Sequence, residues 1–249
     1  TAVLAATILK TGVPSAWDGV TFTESDHGQR LNDDLVMVSH PWLQYYVTAA
    51  SFAIFGQNAV AARLPFAVAG LATILLVYLL MLRATGSHRA AITAALLLLL
   101  SVQFLIFSRQ ARHYSLHAFL SCLLVWQFFR LRSWRSTVAF AAVAIALFHT
   151  HPIGLAAIGA LVMLTLALHP FAPHRRWCLG TLPIIAIGTL PWLVIASRGY
   201  EENTFVFQSV GQLLPRFAQF AIEFASVTPF VGIVVLFAVL WARRRRAPA

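Results

Sequence analysis

Charged side chains are scarce in this chain, and acidic ones are the scarcest. Only 10% of the 249 residues are charged and eight are Asp or Glu, whereas 59% are hydrophobic. The mean hydropathy is +0.77, a value that a soluble domain of this length would not tolerate. The composition therefore excludes a soluble enzyme and predicts an all-α protein that crosses the membrane several times.

Cysteine is also rare, and the common catalytic motifs are missing. Cys122 and Cys178 fall within apolar runs and in no metal-ligand spacing, which argues against a disulfide or a cysteine metal site. The sequence has no glycine-rich phosphate loop, no GxSxG and no HExxH. It therefore gives no support to nucleotide-binding, serine-hydrolase or zinc-peptidase chemistry.

What the sequence has in abundance is long apolar runs. The first residues, 1–9, are too short for a span and are predicted to be the end of a truncated first helix, because crossing the bilayer takes about 20 residues. Residues 10–58 are predicted to form an outer loop with interfacial helices, and 59–249 to form membrane helices with short loops. The whole chain is expected to be one transmembrane domain of seven to eight helices, a fragment or a minimal core. The predicted spans are 64–82, 90–107, 114–129, 136–148, 152–168, 177–197 and 224–242.

The basic residues predict the orientation. Eleven of the 18 Lys and Arg residues fall in one alternate set of loops, and all eight acids fall in the other. By the positive-inside tendency the first set is cytoplasmic, so the acidic first loop, the SRQARHY turn and the HTHP turn share the outer face. Segment 197–223, with Arg198, Glu201, Glu202 and Arg216, belongs there too. Because topology accounts for the net charge of +10, nucleic acid is not expected as a partner.

One stretch, Ser39–Gly70, carries most of the recognisable pattern: SHPWLQYYVTAASFAIFGQNAVAARLPFAVAG. Pro41 suits the first position of a helix, and Trp42, Tyr45 and Tyr46 are ring types that favour the membrane boundary. We predict an interfacial helix that bends at residues 56–58 and continues into a span after Arg63.

This stretch resembles the GT-C glycosyltransferases of the ArnT and protein O-mannosyltransferase type. The resemblance lies in the His-Pro-aromatic start, the Phe-Gly end of the interfacial helix and the Ala-Arg-Leu-Pro-Phe entry to the span. It implies a hexosyl- or pentosyltransferase that moves a sugar from a polyprenyl-phosphate donor to a lipid, glycan or protein acceptor, usually with inversion. It also implies a multi-pass protein of the bacterial inner or cell membrane, with the active site facing outside.

The resemblance further implies an acidic catalytic residue soon after the first helix. Asp18 is our candidate for the group that takes up the acceptor's proton, with Glu24 and Asp26 as alternatives. The family pattern is Asp-Glu, whereas this chain has Asp18-Gly19. An Asp before Gly is also a common turn former, and that interpretation stays open.

A second candidate site is the SRQARHY turn. Arg109 and Arg112 are three residues apart and, on a helical turn, would reach one anion; with Tyr114 they are predicted to bind the donor's lipid phosphate. The alternative is that both arginines extend to lipid headgroups.

Histidines and aromatic residues complete the prediction. The donor and acceptor pocket is predicted to include His40, Trp42, Tyr45, His113, His149 and His151. His40, His149 and His151 are weak candidates for a divalent metal site, because two ligands on one turn do not define one. No cofactor is firmly implied. The competing hypothesis for the whole chain is a lipid or solute transporter, although no acid or base lies in the middle of a predicted span.

Overall fold

The computed structural model describes residues 1–20, 22–23, 31–38, 40–168 and 175–199. The chain divides into two units, Thr1–Glu201 and Glu202–Ala249, and every described residue belongs to the first. Several predictions concern residues outside the described ranges, namely those for Glu24, Asp26, Glu201, Glu202, Arg216 and span 224–242. The helices of the described part are α1 (Ala2–Thr11), α2 (Leu43–Phe55), α3 (Ala59–Thr85), α4 (His88–Leu99), α5 (Val102–Ser108), α6 (His113–Phe128), α7 (Trp134–Thr150), α8 (Pro152–Leu168) and α9 (Arg175–Gly199).

The regular elements of the described part are all helices, and its first loop contains three isolated β-bridges. This confirms the predicted all-α class. Two helices are long and apolar enough to cross a membrane, α3 and the Arg175–Val194 portion of α9. Pro65 lies within α3, and Pro183 and Pro191 within α9, without ending either helix. The count of seven to eight spans stays a prediction.

The predicted span 90–107 is not one straight helix. It consists of α4 and α5, which are bent by 66° relative to each other and would make a third crossing if taken together. The break occurs where Ser101 caps α5, its hydroxyl accepting from the Phe104 N–H at 3.4 Å. A serine that caps a new helix start competes with continuation of the preceding helix.

Two packed clusters organise the described part. In one, α1 and α2 pack on the start of α3 around Tyr45, Ala49 and Phe52. In the other, α6, α7, α8 and α9 pack around Leu124 and Leu147. Helix α3 also packs closely on α6 and on the end of α5: a Cβ on Gly70 would lie 2.6 Å from the Ser108 hydroxyl. The residues that follow Ser108 are thereby held against α3.

The start of the interfacial helix differs from the prediction. Helix α2 begins at Leu43, with Trp42 as its N-cap, so Pro41 precedes the helix by two residues. The Trp42 indole N–H donates to the Met37 carbonyl at 2.6 Å, which ties this residue back to the first loop. The predicted bend at 56–58 is confirmed: Gly56 adopts a φ of 77°, and Asn58 caps α3 by accepting from the Ala61 N–H at 2.8 Å.

Candidate active site

A cavity of about 540 Å³ gathers several of the predicted site residues, and we call it the polar cavity. Its walls come from the N-terminal end of α1, the first loop, α2 and the turn between α5 and α6. Its lining residues are Thr1, Val3, Leu4, Thr23, Leu31, Met37, His40, Gln44, Tyr45, Arg112, His113 and Tyr114. The structure therefore brings together His40, Tyr45, Arg112, His113 and Tyr114, which the sequence separates by up to 74 positions.

Arg112 is the arginine among the described lining residues of the polar cavity. It caps the start of α6 in an extended conformation, its side chain is exposed, and no described residue forms an ion pair with it. The neighbouring Tyr114 ring packs on Phe107 of α5 with ring centroids 4.4 Å apart, which closes the turn between the two helices. A guanidinium that is held at a cavity wall and has no carboxylate partner can receive an anion.

His113 lines the polar cavity beside Arg112 and belongs to a cluster of three histidines. The His113 ring stacks on the His151 ring at 5.1 Å, and the His117 ring meets His151 edge-on at 5.9 Å. Burial, together with the nearby His151 and His40, lowers the pKa of His113 to about 4. Burial also lowers the pKa of His151. His113 is therefore neutral at physiological pH, and Arg112 provides the positive charge there.

His117 is the member of this cluster that we did not predict. Its Nδ1 is buried without a hydrogen-bond partner among the described atoms, and its ring occupies the space where a Cβ on Gly154 of α8 would lie. The i, i+4 spacing from His113 to His117 was the available signal, because such residues share one face of a helix. The signal was hidden because His117 lies inside an apolar run.

His149 and Trp42 belong to a different place. Both line a second cavity of about 410 Å³, the apolar cleft, together with Leu43, Tyr46, Ala142, Ile145, Ala146, Pro191 and Trp192. The His149 Nε2 lies 3.0 Å from the Gly188 carbonyl of α9. Helix α7 continues through Thr150 and His151 is its C-cap in an extended conformation, so the two histidines do not share one regular turn.

The three histidines named as weak metal candidates do not line one cavity. His40 lines the polar cavity, whereas His149 lines the apolar cleft. Within the described ranges, no three His, Cys, Asp or Glu side chains are placed to hold a metal ion.

Asp18 follows the far end of α1. Its Oδ1 accepts from the Val20 N–H at 2.8 Å, and its carbonyl accepts from the Lys10 ammonium at 3.2 Å. The described cavity walls do not include it, since α1 contributes its opposite end. Thr23 and Leu31, which flank the segment containing Glu24 and Asp26, do line the polar cavity. The role of all three carboxylates stays a prediction.

Arg109 faces a third cavity of about 500 Å³, which we call the arginine cavity. Arg63, Arg109 and Arg112 line it together with Ala2, Ala59, Ala62, Gln110 and Ala111. Arg112 is thus shared with the polar cavity, whereas Arg109 is not. The two predicted phosphate-binding arginines do meet at one cavity, although Tyr114 lies on the wall of the other.

Comparison with known protein families gives one informative match. Residues 39–197, more than half of the chain, match the family described as dolichyl-phosphate-mannose-protein mannosyltransferase. No curated protein and no solved structure matches the chain. The matched range contains α2 to α8, most of α9 and the arginine turn, and the candidate carboxylates of the first loop precede it. The predicted resemblance is therefore confirmed, and the chain belongs to this family of GT-C membrane glycosyltransferases.

Proposed function

We propose that this protein transfers a sugar from a polyprenyl-phosphate donor to a lipid, glycan or protein acceptor at the outer face of the membrane, with inversion of the anomeric carbon. Family membership supports a lipid-linked donor. The observation that carries the proposal is the polar cavity, in which the Arg112 guanidinium stands beside His40, Gln44, His113 and Tyr114.

Arg112 is the group that we assign to the donor phosphate. As the bond from the anomeric carbon to the phosphate oxygen breaks, its electron pair stays on the phosphate, whose negative charge grows. A guanidinium binds two phosphate oxygens at once and stays charged when partly dehydrated. Tyr114 offers a hydroxyl donor on the same wall. Arg109 lines the arginine cavity, of which Arg112 is also a lining residue.

The other polar neighbours of Arg112 suit the sugar. Imidazole, amide and phenol groups can form hydrogen bonds with sugar hydroxyls. His40, His113, Gln44 and Tyr45 supply these groups. They are proposed to orient the sugar so that its anomeric carbon faces the acceptor.

A carboxylate of the first loop is proposed to take the acceptor's proton. The acceptor oxygen or nitrogen attacks the anomeric carbon on the face opposite the phosphate, and its proton passes to the carboxylate. Asp18 is the assigned base, and Glu24 and Asp26 are the alternatives.

The phosphate assignment is tested with Arg112→Gln in proteoliposomes supplied with radiolabelled polyprenyl-phosphate sugars, starting with mannose. We expect transfer to fall by about 1.5 to 3 kcal/mol of transition-state stabilisation, because a hydrogen bond to a charged group typically contributes about that much. Arg89→Gln is the matched control, an exposed arginine near the start of α4, beyond the far end of α3. Equal transfer by both variants and the parent would contradict the assignment.

The base is tested by Asp18→Asn, Glu24→Gln and Asp26→Asn. Removing a general base typically costs about 10²- to 10⁴-fold in rate, and we expect this loss for Asp18→Asn with donor binding intact. Loss with Glu24→Gln alone would move the role to that residue. If all three variants match the parent and the protein moves labelled lipid across liposomes without forming product, it is a transporter.

A further inference from the structure

Three guanidinium groups line the arginine cavity. Arg63 comes from the first turns of α3, and Arg109 and Arg112 come from the turn between α5 and α6. The close contact of Gly70 with Ser108 holds that turn against α3. The rest of the wall is Gln110 and alanines, which leave space for the arginine side chains to meet a ligand.

Nothing described in this cavity neutralises the three charges. No Asp or Glu is among its described lining residues, and no described ion pair involves Arg63, Arg109 or Arg112. Like charges at neighbouring positions repel, and this repulsion is removed when an anion binds between them. Guanidinium forks are hydrogen-bond donors only, and the Gln110 amide adds an NH₂ donor beside its carbonyl acceptor, so the donors of this set suit phosphate oxygens.

The position of Arg63 sets the depth of this cavity. Arg63 immediately precedes the uncharged run 64–82 within α3, a helix long enough to cross the membrane. A cavity at that level lies where lipid phosphates are found. An anion there can therefore still be attached to its lipid.

We propose that the arginine cavity is a second binding site for a lipid phosphate, next to the reaction site and joined to it through Arg112. A phosphate in either cavity contacts Arg112, so a lipid can pass between them while it keeps one guanidinium contact. Arg63 belongs to the second site alone. The inference rests on the proposed function for the identity of the first site, and it adds Arg63 and a second phosphate position.

The test compares Arg63→Gln with Arg89→Gln in nanodiscs of phosphatidylcholine that contain labelled polyprenyl monophosphate. The full chain is used, and the bound lipid is counted by native mass spectrometry. We expect the parent and Arg89→Gln to retain one more phosphate lipid per protein than Arg63→Gln does. The same retention in all three proteins would overturn the proposal.

A second arm identifies the source of the phosphate. Phosphatidylglycerol is added in excess: displacement of the extra lipid marks a site for any anionic headgroup, and retention marks a site for polyprenyl phosphate, which the reaction releases. Either result supports the second site. The two proposals fail separately, because full sugar transfer by Arg112→Gln would contradict the reaction site, whereas unchanged lipid retention by Arg63→Gln contradicts only the second one.

Discussion

The two cavities on either side of the α2 start differ sharply in chemistry. The polar cavity takes Gln44 and Tyr45 from this helix and faces His113 and Arg112. The apolar cleft takes Leu43 and Tyr46 from the same turn and faces Ala146 and Trp192. Side chains one position apart on a helix point about 100° apart, so the four residues of one turn can face two different cavities.

Tyr45 and Tyr46 have the same side chain but line different cavities. Tyr45 is 5% exposed and packs among α1 and α2 residues, whereas Tyr46 is 40% exposed and donates its hydroxyl to the Gly12 carbonyl at 2.8 Å. The comparison teaches that the lining of each cavity depends on the register of α2, because successive residues of one turn face different cavities. The predictions that follow test this division.

A charge in the apolar cleft should have the largest effect. Ala146→Asp places a carboxylate among apolar side chains of α7 and α9, and such a substitution in a membrane helix costs about 2.5 to 3.5 kcal/mol. We expect a clear loss of folded protein, measured by thermal unfolding in detergent. Gln44→Glu, on the polar side, is the matched control and should lose less stability, because its carboxylate lies in the cavity that Arg112 also lines. Equal losses would show that the two sides do not differ.

A reverse change should damage the polar cavity without unfolding it. Gln44 is 4% exposed and its amide is one of the polar groups of the wall. Gln44→Leu keeps the volume but removes the hydrogen-bonding group, and we expect a loss of about 1 to 3 kcal/mol in sugar transfer with unchanged thermal stability. Leu43→Met, one position away on the cleft side, serves as the control. Normal transfer by Gln44→Leu would remove this residue from the site.

Acid should lower the unfolding free energy of the protein through His113. The pKa of His113 is lowered to about 4 in the folded protein from an ordinary value of 6.5, so the unfolded chain binds more protons as the pH falls below about 6.5. The contribution of neutral His113 to stability is therefore present at neutral pH and is lost between about pH 6.5 and 4.

His113→Phe should reduce that loss, because Phe keeps a ring against His151 but cannot be protonated. The unfolding free energy of the variant, measured from pH 7.5 to 4.5, should fall less steeply than that of the parent. Parallel pH profiles would contradict the lowered pKa. His88→Phe provides a control, since His88 is exposed at the start of α4.

The smallest effect is expected for His149. This residue lies in the cleft and its ring nitrogen is 3.0 Å from the Gly188 carbonyl. His149→Phe removes one hydrogen bond, which typically contributes about 0.5 to 1.5 kcal/mol, and the result should appear as a slightly lower unfolding temperature. A loss of transfer as large as that of Gln44→Leu would return His149 to the reaction site.

Long apolar runs made much of the helical architecture predictable. The predicted spans 114–129 and 152–168 correspond to α6 and α8 within one residue at each end, because charged turns or a proline bound them. The break before α5 was not predictable in the same way. Ser101 is one hydroxyl in a run of apolar residues, and only its use as a helix cap turns it into a boundary.

The site was predictable only where local pattern suffices. Arg112, His113 and Tyr114 are adjacent, so one turn of chain places them together. The separation of His149 from His151 depends on where α7 ends, because His149 lies in its last turn and His151 is its extended C-cap. The contribution of Arg63 to the arginine cavity depends on α3 packing against α6, a long-range contact that periodicity does not reveal.

The contact between Gly154 and His117 couples the side-chain sizes that these two positions can accept. An imidazole at 117 fills the volume of a side chain at 154, so substitutions at these positions should be accepted in pairs and rejected singly. A homologue with a larger residue at position 154 is expected to carry a small residue at position 117. Its histidine cluster would then have one member fewer. An engineer who replaces this glycine to stiffen α8 would therefore also have to redesign the cluster of His113, His117 and His151.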